Sequence, residues 1–249
     1  MGKSQQAIVA YEQAIANDPY CIPAYDGLGW LYIAKLADFD QAVITYQRGL
    51  TANPADSLLA ACLGSTYMRM GQTEKALKIL EQSAVDHPDQ AFAPSWLSYI
   101  YFRLKRFDDA ALCCRSEIEL KDAHSPHRVL GFVYHELGRN DEAIAELERA
   151  VELEPHDYEA RAALAKLYRA SGNTVDAEYQ YNTGKEMSAE DNEYGLACFY
   201  AVNGDAKQAL DLLETASSKG QITPGWMHID PELFFIQDEP RFRVLSTST

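Results

Sequence analysis

Ser57–Gln90 reads SLLAACLGSTYMRMGQTEKALKILEQSAVDHPDQ, and the rest of the chain is legible from it. Leu59, Leu63, Tyr67 and Met70 recur at the spacing of one helix face, so the first half predicts an amphipathic helix. Gly71 supplies a residue that accepts the left-handed backbone ending such a helix. Thr73 is suited to cap a second helix, and Glu74 to its first turn, where the helix dipole favours negative charge. Ala76, Leu77, Leu80 and Ala84 give the second helix its own apolar stripe, and Pro88 stops it. Gly64 and Ala76 are small, which lets the two helices approach closely. Two amphipathic helices still leave one apolar face bare, so a neighbouring pair must cover it.

The same register recurs along the chain. Six complete units start at Ile22, Ser57, Ala91, His124, Tyr158 and Glu190. Each carries leucine and a small residue: Leu28-Gly29, Leu63-Gly64, Leu97-Ser98, Leu130-Gly131, Leu164-Ala165 and Leu196-Ala197. A tyrosine follows in every unit, at 32, 67, 101, 134, 168 and 200, and a second-helix alanine at 42, 76, 110, 143, 177 and 209. That alanine falls twelve residues after the small residue in five units and thirteen after it in the first, which places one inserted residue near Leu36-Ala37-Asp38. Residues 1–21 read as a second helix alone, with Ala7, Tyr11, Ala14 and Pro19 in the slots of Ala76, Leu80, Ser83 and Pro88. This half unit is the trace of a longer array, a cap, or a helix that pairs with another molecule.

These positions resemble the tetratricopeptide repeat pattern W-x2-L-G-x2-Y, then A-x3-F, then P. The resemblance covers roughly residues 2–220. It implies an all-α fold, a right-handed superhelical α-solenoid of helix–turn–helix units, over residues 22–221. The chain departs from the pattern at the tryptophan slot, which holds Tyr25, Ala60, Pro94, His127, Arg161 and Glu193. Cys114 takes a large apolar slot and Glu117 a small one, and no closing proline follows the third, fifth and sixth units, so those junctions are expected to turn differently. Residues 222–249 break the repeat. Asp230-Pro231 and Pro240-Arg241-Phe242 resemble the D-P-x-L…D-P-R-F ending found after many prokaryotic tetratricopeptide arrays. That resemblance implies a capping segment over the last apolar face, with Ser246–Thr249 frayed.

Composition narrows the function. The formal net charge is −15, the opposite of what a general nucleic-acid binder needs. No apolar run approaches the ~20 residues of a membrane-spanning helix, and the start lacks a secretory signal. The five cysteines have neither a framework nor CxxC spacing, which suits a reducing compartment and makes the cytoplasm the expected location. Cys113, Cys114, His124 and His127 lie close enough to sketch a zinc site. However, Cys114 fills a core slot, His127 a helix-contact slot, and Ser125-Pro126 reads as a helix cap followed by a first-turn proline. The nucleophile elbow, the Walker A loop and H-E-x-x-H are absent, so neither an enzyme nor a cofactor is expected.

In tetratricopeptide proteins the first helices line the concave groove. Carrying that geometry over puts Trp30, Met68, Arg69, Tyr99, Phe102, Arg103, Arg128, Phe132, His135, Lys166 and Arg169 on the groove face. Aromatic and arginine side chains favour binding hot spots, and this mixture is unusual in so acidic a chain. The expected function is a protein-interaction scaffold or adaptor, whose partner is a peptide or protein segment bearing acidic and apolar side chains. A competing reading of the same residues takes Tyr99 and Phe102 as inter-repeat core and the arginines as scattered surface charge. Asp26 and Trp30, or Ala61 and Ser65, replace the Lys and Asn that clamp a C-terminal carboxylate in some relatives, so that clamp is not expected. Two rivals remain. One is homo-oligomerisation through the half repeat. The other is a regulatory or substrate-recognition segment of a larger enzyme or transcription regulator.

Overall fold

The computed structural model describes residues 2–227 and 230–247. Every regular element among them is helical, and the chain divides into two compact units, Met1–Leu97 and Ser98–Thr249.

The first unit holds α1 (Lys3–Asn17), α2 (Ile22–Leu31), α3 (Phe39–Ala52), α4 (Ser57–Arg69), α5 (Thr73–Asp86) and the start of α6 (Phe92–Arg103). From α1 to α5 each helix packs on the next, and α2 also meets α4. Leu28, Ala42, Leu59, Ala76 and Leu80 have no solvent exposure, so the repeat positions form this unit's core. The small residue of each pair is set by close approach. A Cβ built on Gly64 would lie 2.6 Å from Leu80 Cγ, which no real Cβ tolerates. The half unit is packed as well, since a Cβ on Gly27 of α2 would strike the Tyr11 ring of α1 at 2.6 Å.

The inserted residue of the first complete unit has a definite conformation. Tyr32–Leu36 continue α2 as a π-helical turn, which absorbs one extra residue per turn. Ala37 then takes the left-handed conformation with φ 51°, and Asp38 N–H donates to Tyr32 O at 3.0 Å. In the next unit Gly71 has φ 70° and Gln72 N–H donates to Tyr67 O at 2.8 Å. The same closing bond thus spans one residue more in the first unit. Gln72 rather than Thr73 holds the cap position of α5, a difference of one residue.

The second unit continues with α7 (Phe107–Leu120), α8 (His124–Glu136), α9 (Asn140–Leu153), α10 (Tyr158–Ala170), α11 (Thr174–Asp191), α12 (Glu193–Asn203) and α13 (Ala206–Ser218). The slots that lost tryptophan carry polar ties. Arg161 Nη2 donates to Pro155 O at 2.8 Å, and its Nη1 to Gln180 at 2.7 Å. His127 places one ring nitrogen 2.6 Å from Asp122 and the other 2.5 Å from Glu146, so both of its nitrogens are engaged by carboxylates. Ser125 lies inside α8 rather than capping it, and its hydroxyl meets Tyr99 OH at 2.6 Å. Of the units without a closing proline, the fifth extends its second helix, with α11 running for 18 residues before the next helix starts at Glu193, whereas α7 of the third unit keeps the 14 residues of the proline-closed α9.

The tail forms α14 (Pro224–Met227), a 3-10 turn at Pro231–Ile236 and α15 (Pro240–Thr247). On α15, Arg241 Nη2 reaches Asp211 at 2.8 Å and Glu214 at 2.7 Å on α13, and Phe242 is buried. Ser246 and Thr247 belong to α15 and Ser246 is buried, because α15 continues past Leu245; the expected fraying does not apply to them. Ser248 and Thr249 lie outside the described residues.

Candidate functional site

In the first unit the residues expected on the groove face are Trp30, Met68 and Arg69. Trp30 on α2 is 55% exposed, with the Arg69 guanidinium of α4 6.0 Å from its ring centroid. Burial pushes the Arg69 pKa down to about 10, and Met68 is buried.

In the second unit the first helices are α6, α8, α10 and α12, and the 3-10 turn of the tail lies across them. Its contacts can be taken residue by residue. Arg103 Nη1 on α6 donates to the Asp230 carbonyl at 3.1 Å. Arg128 Nη2 on α8 sits 3.0 Å from the Glu232 carboxylate. The Phe234 ring lies 4.3 Å from Phe102 centroid to centroid, and the Phe235 ring meets Phe132 edge-on at 5.4 Å. Lys166 Nζ on α10 stands 5.3 Å over Phe235, a cation–π arrangement. On α12, the Tyr194 hydroxyl donates to the Asp230 carboxylate, and Trp226 Nε1–H donates to Tyr194 OH at 3.0 Å. Phe102 and Leu233 have no exposure, and Glu232 and Asp230 are buried.

Arg128 is the electrostatic centre of this arrangement. Its Nη1 also lies 3.1 Å from Asp157 and 3.4 Å from Glu159, so three carboxylates share one guanidinium. Asp157 serves α10 too, accepting from Ala160 N–H at 2.9 Å as its cap. One cation cannot stabilise three buried anions. Burial, with Asp230 beside it, pushes Glu232 well above the usual carboxylate range despite Arg128. Burial likewise pushes Glu159 up to about 8, against the pull of Arg128. The cluster takes up protons that separated carboxylates would release.

The remaining sequence-predicted residues are less engaged with the tail. Tyr99 is pushed up to about 12 by burial while its hydroxyl meets Ser125. Burial and the nearby Lys166 charge lower His135, which faces Asn140 at 3.5 Å. Arg169 is exposed and stands over the Tyr181 ring of α11, on the second-helix side. Within the second unit the structure therefore brings Phe102, Arg103, Arg128, Phe132 and Lys166 onto one segment of the tail, and Arg169 away from it. Glu159 and Tyr194 fall in groove slots of the repeat without having been singled out, and sequence reasoning passed over Asp157, Trp226, Asp230 and Glu232 as site residues. The available signal was the acid-then-aromatic run Asp-Pro-Glu-Leu-Phe-Phe in a tail facing a cationic groove.

Comparison with known proteins places this geometry in context. Residues 1–197 match the family model described as Cilia and flagella-associated protein 70 C-terminal domain. Anaphase-promoting complex subunit 7 of Mus musculus is 23% identical over 197 residues, covering 78% of this chain and 34% of the relative. The chain thus spans about a third of that relative's length. Among solved structures, MamA superposes with a TM-score of 0.58 at 25% identity, covering 66% of this chain and 96% of MamA. The Cut9–Hcn1 hetero-tetramer of the APC/C superposes with a TM-score of 0.63 at 15% identity, covering 93% of this chain and 46% of the other, a likeness of fold.

Proposed function

We propose that this chain, which belongs to the tetratricopeptide family described as Cilia and flagella-associated protein 70 C-terminal domain, is a protein-interaction scaffold that holds a peptide or protein segment against its first helices. One observation carries the reading. Acidic and aromatic side chains from Asp230–Ile236 seat on α6, α8, α10 and α12 through an arginine pair, an aromatic cluster and a lysine over a ring. A face that takes an acidic, apolar segment of its own chain has the chemistry to take one from a partner. Recognition by such a preformed surface needs little backbone ordering, which spares affinity. The subunit named in the curated relative and the complex named in the Cut9–Hcn1 structure both belong to assemblies, which is consistent with a scaffold role here. The reading assigns the chain no catalysis of its own. It places the chain in the cytoplasm, supported by five free cysteines.

The test is affinity capture with quantitative mass spectrometry on the wild type beside a Trp30→Ala, Lys166→Glu variant, with melting curves to show equal folding. Neither change opens a fully buried position, because Trp30 is exposed and Lys166 half-buried. A set of proteins retained by the wild type and lost from the variant is expected. Identical sets from both would remove the groove reading.

A further inference from the structure

The tail contacts say more than that a peptide fits. Successive groups along Asp230–Phe235, one backbone carbonyl and several side chains, have their own counterparts. The Asp230 carbonyl takes Arg103, the Glu232 carboxylate takes Arg128, Phe234 takes Phe102, and Phe235 takes Phe132 and Lys166. Leu233 between them is fully buried. This is the pattern of a peptide site with pockets for successive side chains, occupied by a segment that returns from the far end of the array. Yet the resident segment is poorly matched in charge. Arg128 already faces Asp157 and Glu159 when Glu232 arrives, and Asp230 adds a further buried carboxylate. Seating it costs either proton uptake by these carboxylates or repulsion between them, and its departure relieves that cost while losing the attraction to Arg128.

Resting on the scaffold reading above, we propose that the face of α6, α8, α10 and α12 is a receptor for a partner-protein segment carrying an acidic residue followed by Leu-aromatic-aromatic, and that Asp230–Ile236 is a resident copy which such a segment must displace. A short tether holds the resident, because α13 ends at Ser218 and the 3-10 turn begins at Pro231. Linkage within one chain makes the resident's binding intramolecular, and the connecting segment is itself seated, with Ile222 and Met227 buried and Trp226 bonded to Tyr194. The resident therefore sets a threshold that weak or wrongly charged segments do not cross. The acid confers charge selectivity through Arg128, and the aromatic pair supplies apolar area at low entropy cost.

The probe is a fluorescent synthetic peptide, Asp-Pro-Glu-Leu-Phe-Phe-Ile, titrated into three full-length proteins and read by anisotropy. These are the wild type, a resident-weakened Glu232→Gln, Phe235→Ser variant, and that variant carrying Arg128→Met as well. Peptide affinity should rise about tenfold or more on weakening the resident and be lost again with Arg128→Met. Equal affinity for the first two proteins, or no binding to either, overturns the proposal. Because altered tail residues could loosen the fold, a second measurement uses the wild type alone. In isotope-labelled protein, excess unlabelled peptide should shift the amide resonances of residues 230–236 toward exposed values while those of α9 and α11 stay put. Unmoved tail resonances overturn the proposal. A concentration-dependent dimer of the wild type that disappears in the resident-weakened variant also overturns it, by making a second copy the partner. The two readings fail separately. Peptide failure with capture still lost at Trp30 and Lys166 leaves the scaffold and removes the resident ligand, whereas peptide success with unchanged capture does the reverse.

Discussion

The cluster around Arg128 predicts an unusual stability profile. Glu159 on α10 faces Arg128 on α8, Asp157 at its own helix cap, and Asp230 and Glu232 on the tail, with Cys198 of α12 beside it. Burial holds its proton to about 8, against 4.5 in an unfolded chain. Between those values the folded state carries a proton that the unfolded state has lost, so stability is greatest at the acid end and falls as pH rises. One such proton corresponds to a loss of about 1.4 kcal/mol per pH unit across the window, and the loss is complete above about pH 8. Glu159→Gln removes the ionisation and keeps an oxygen able to accept from Arg128 Nη1. The variant should therefore match the wild type near pH 5 and be the more stable of the two near pH 8, with the gap widening as pH rises between them. Urea denaturation followed by far-UV circular dichroism at a series of pH values reads this directly. Parallel curves for the two proteins would refute the reasoning, because they would mean that Glu159 ionises alike in folded and unfolded chains.

Leu130→Ala empties a position that is 1% exposed and should cost ~2–5 kcal/mol by denaturation; a loss below about 1 kcal/mol would move the repeat register. Gly64→Ala forces a Cβ onto Leu80 and should lower stability by ~1–3 kcal/mol, and a neutral result would mean that α4 and α5 can separate freely. Lys105 adopts φ 58° where Gly71 serves in another unit, so Lys105→Gly should raise the melting temperature, with a gain of about 1 kcal/mol; a decrease would argue against left-handed backbone there. A double-mutant cycle on Phe102→Ala and Phe234→Ala should give a coupling of ~0.5–1.5 kcal/mol, since the rings are 4.3 Å apart. Zero coupling would place the tail elsewhere in solution.

The helical scaffold was readable because each of its parts depends on near neighbours. The Leu-small pair, the tyrosine and the second-helix alanine fall within about half a repeat of one another, and the core residues Leu28, Leu59, Ala76 and Leu80 are the ones that spacing selects. Counting also located the inserted residue. What counting could not give was its conformation, since a loop and a π turn contain the same number of residues; the closing bond from Asp38 to Tyr32 decides it. The missing tryptophans marked departures without naming their replacements. Arg161 and His127 show why, because each draws partners from other segments, at Pro155 and Gln180, and at Asp122 and Glu146.

The candidate site was half legible, and the missing half is instructive about charge. An excess of arginine along one face of a chain with net charge −15 implies acids nearby, because an unpaired guanidinium would be costly to bury. The sequence alone makes an external acidic partner the simplest supplier. Arg103 meets the backbone of Asp230 across 127 residues of sequence, and no periodicity links two positions so far apart. The tail's Glu-Leu-Phe-Phe run was legible only as apolar surface needing cover, which a cap over the last helix would satisfy equally well. The two inferences share one cause. A groove that needs acid and a tail that needs burial relieve each other within one chain, and Arg128 then holds more carboxylates than it can neutralise. That surplus charge is why the docked tail should be sensitive to pH, and why a better-matched segment could compete with it.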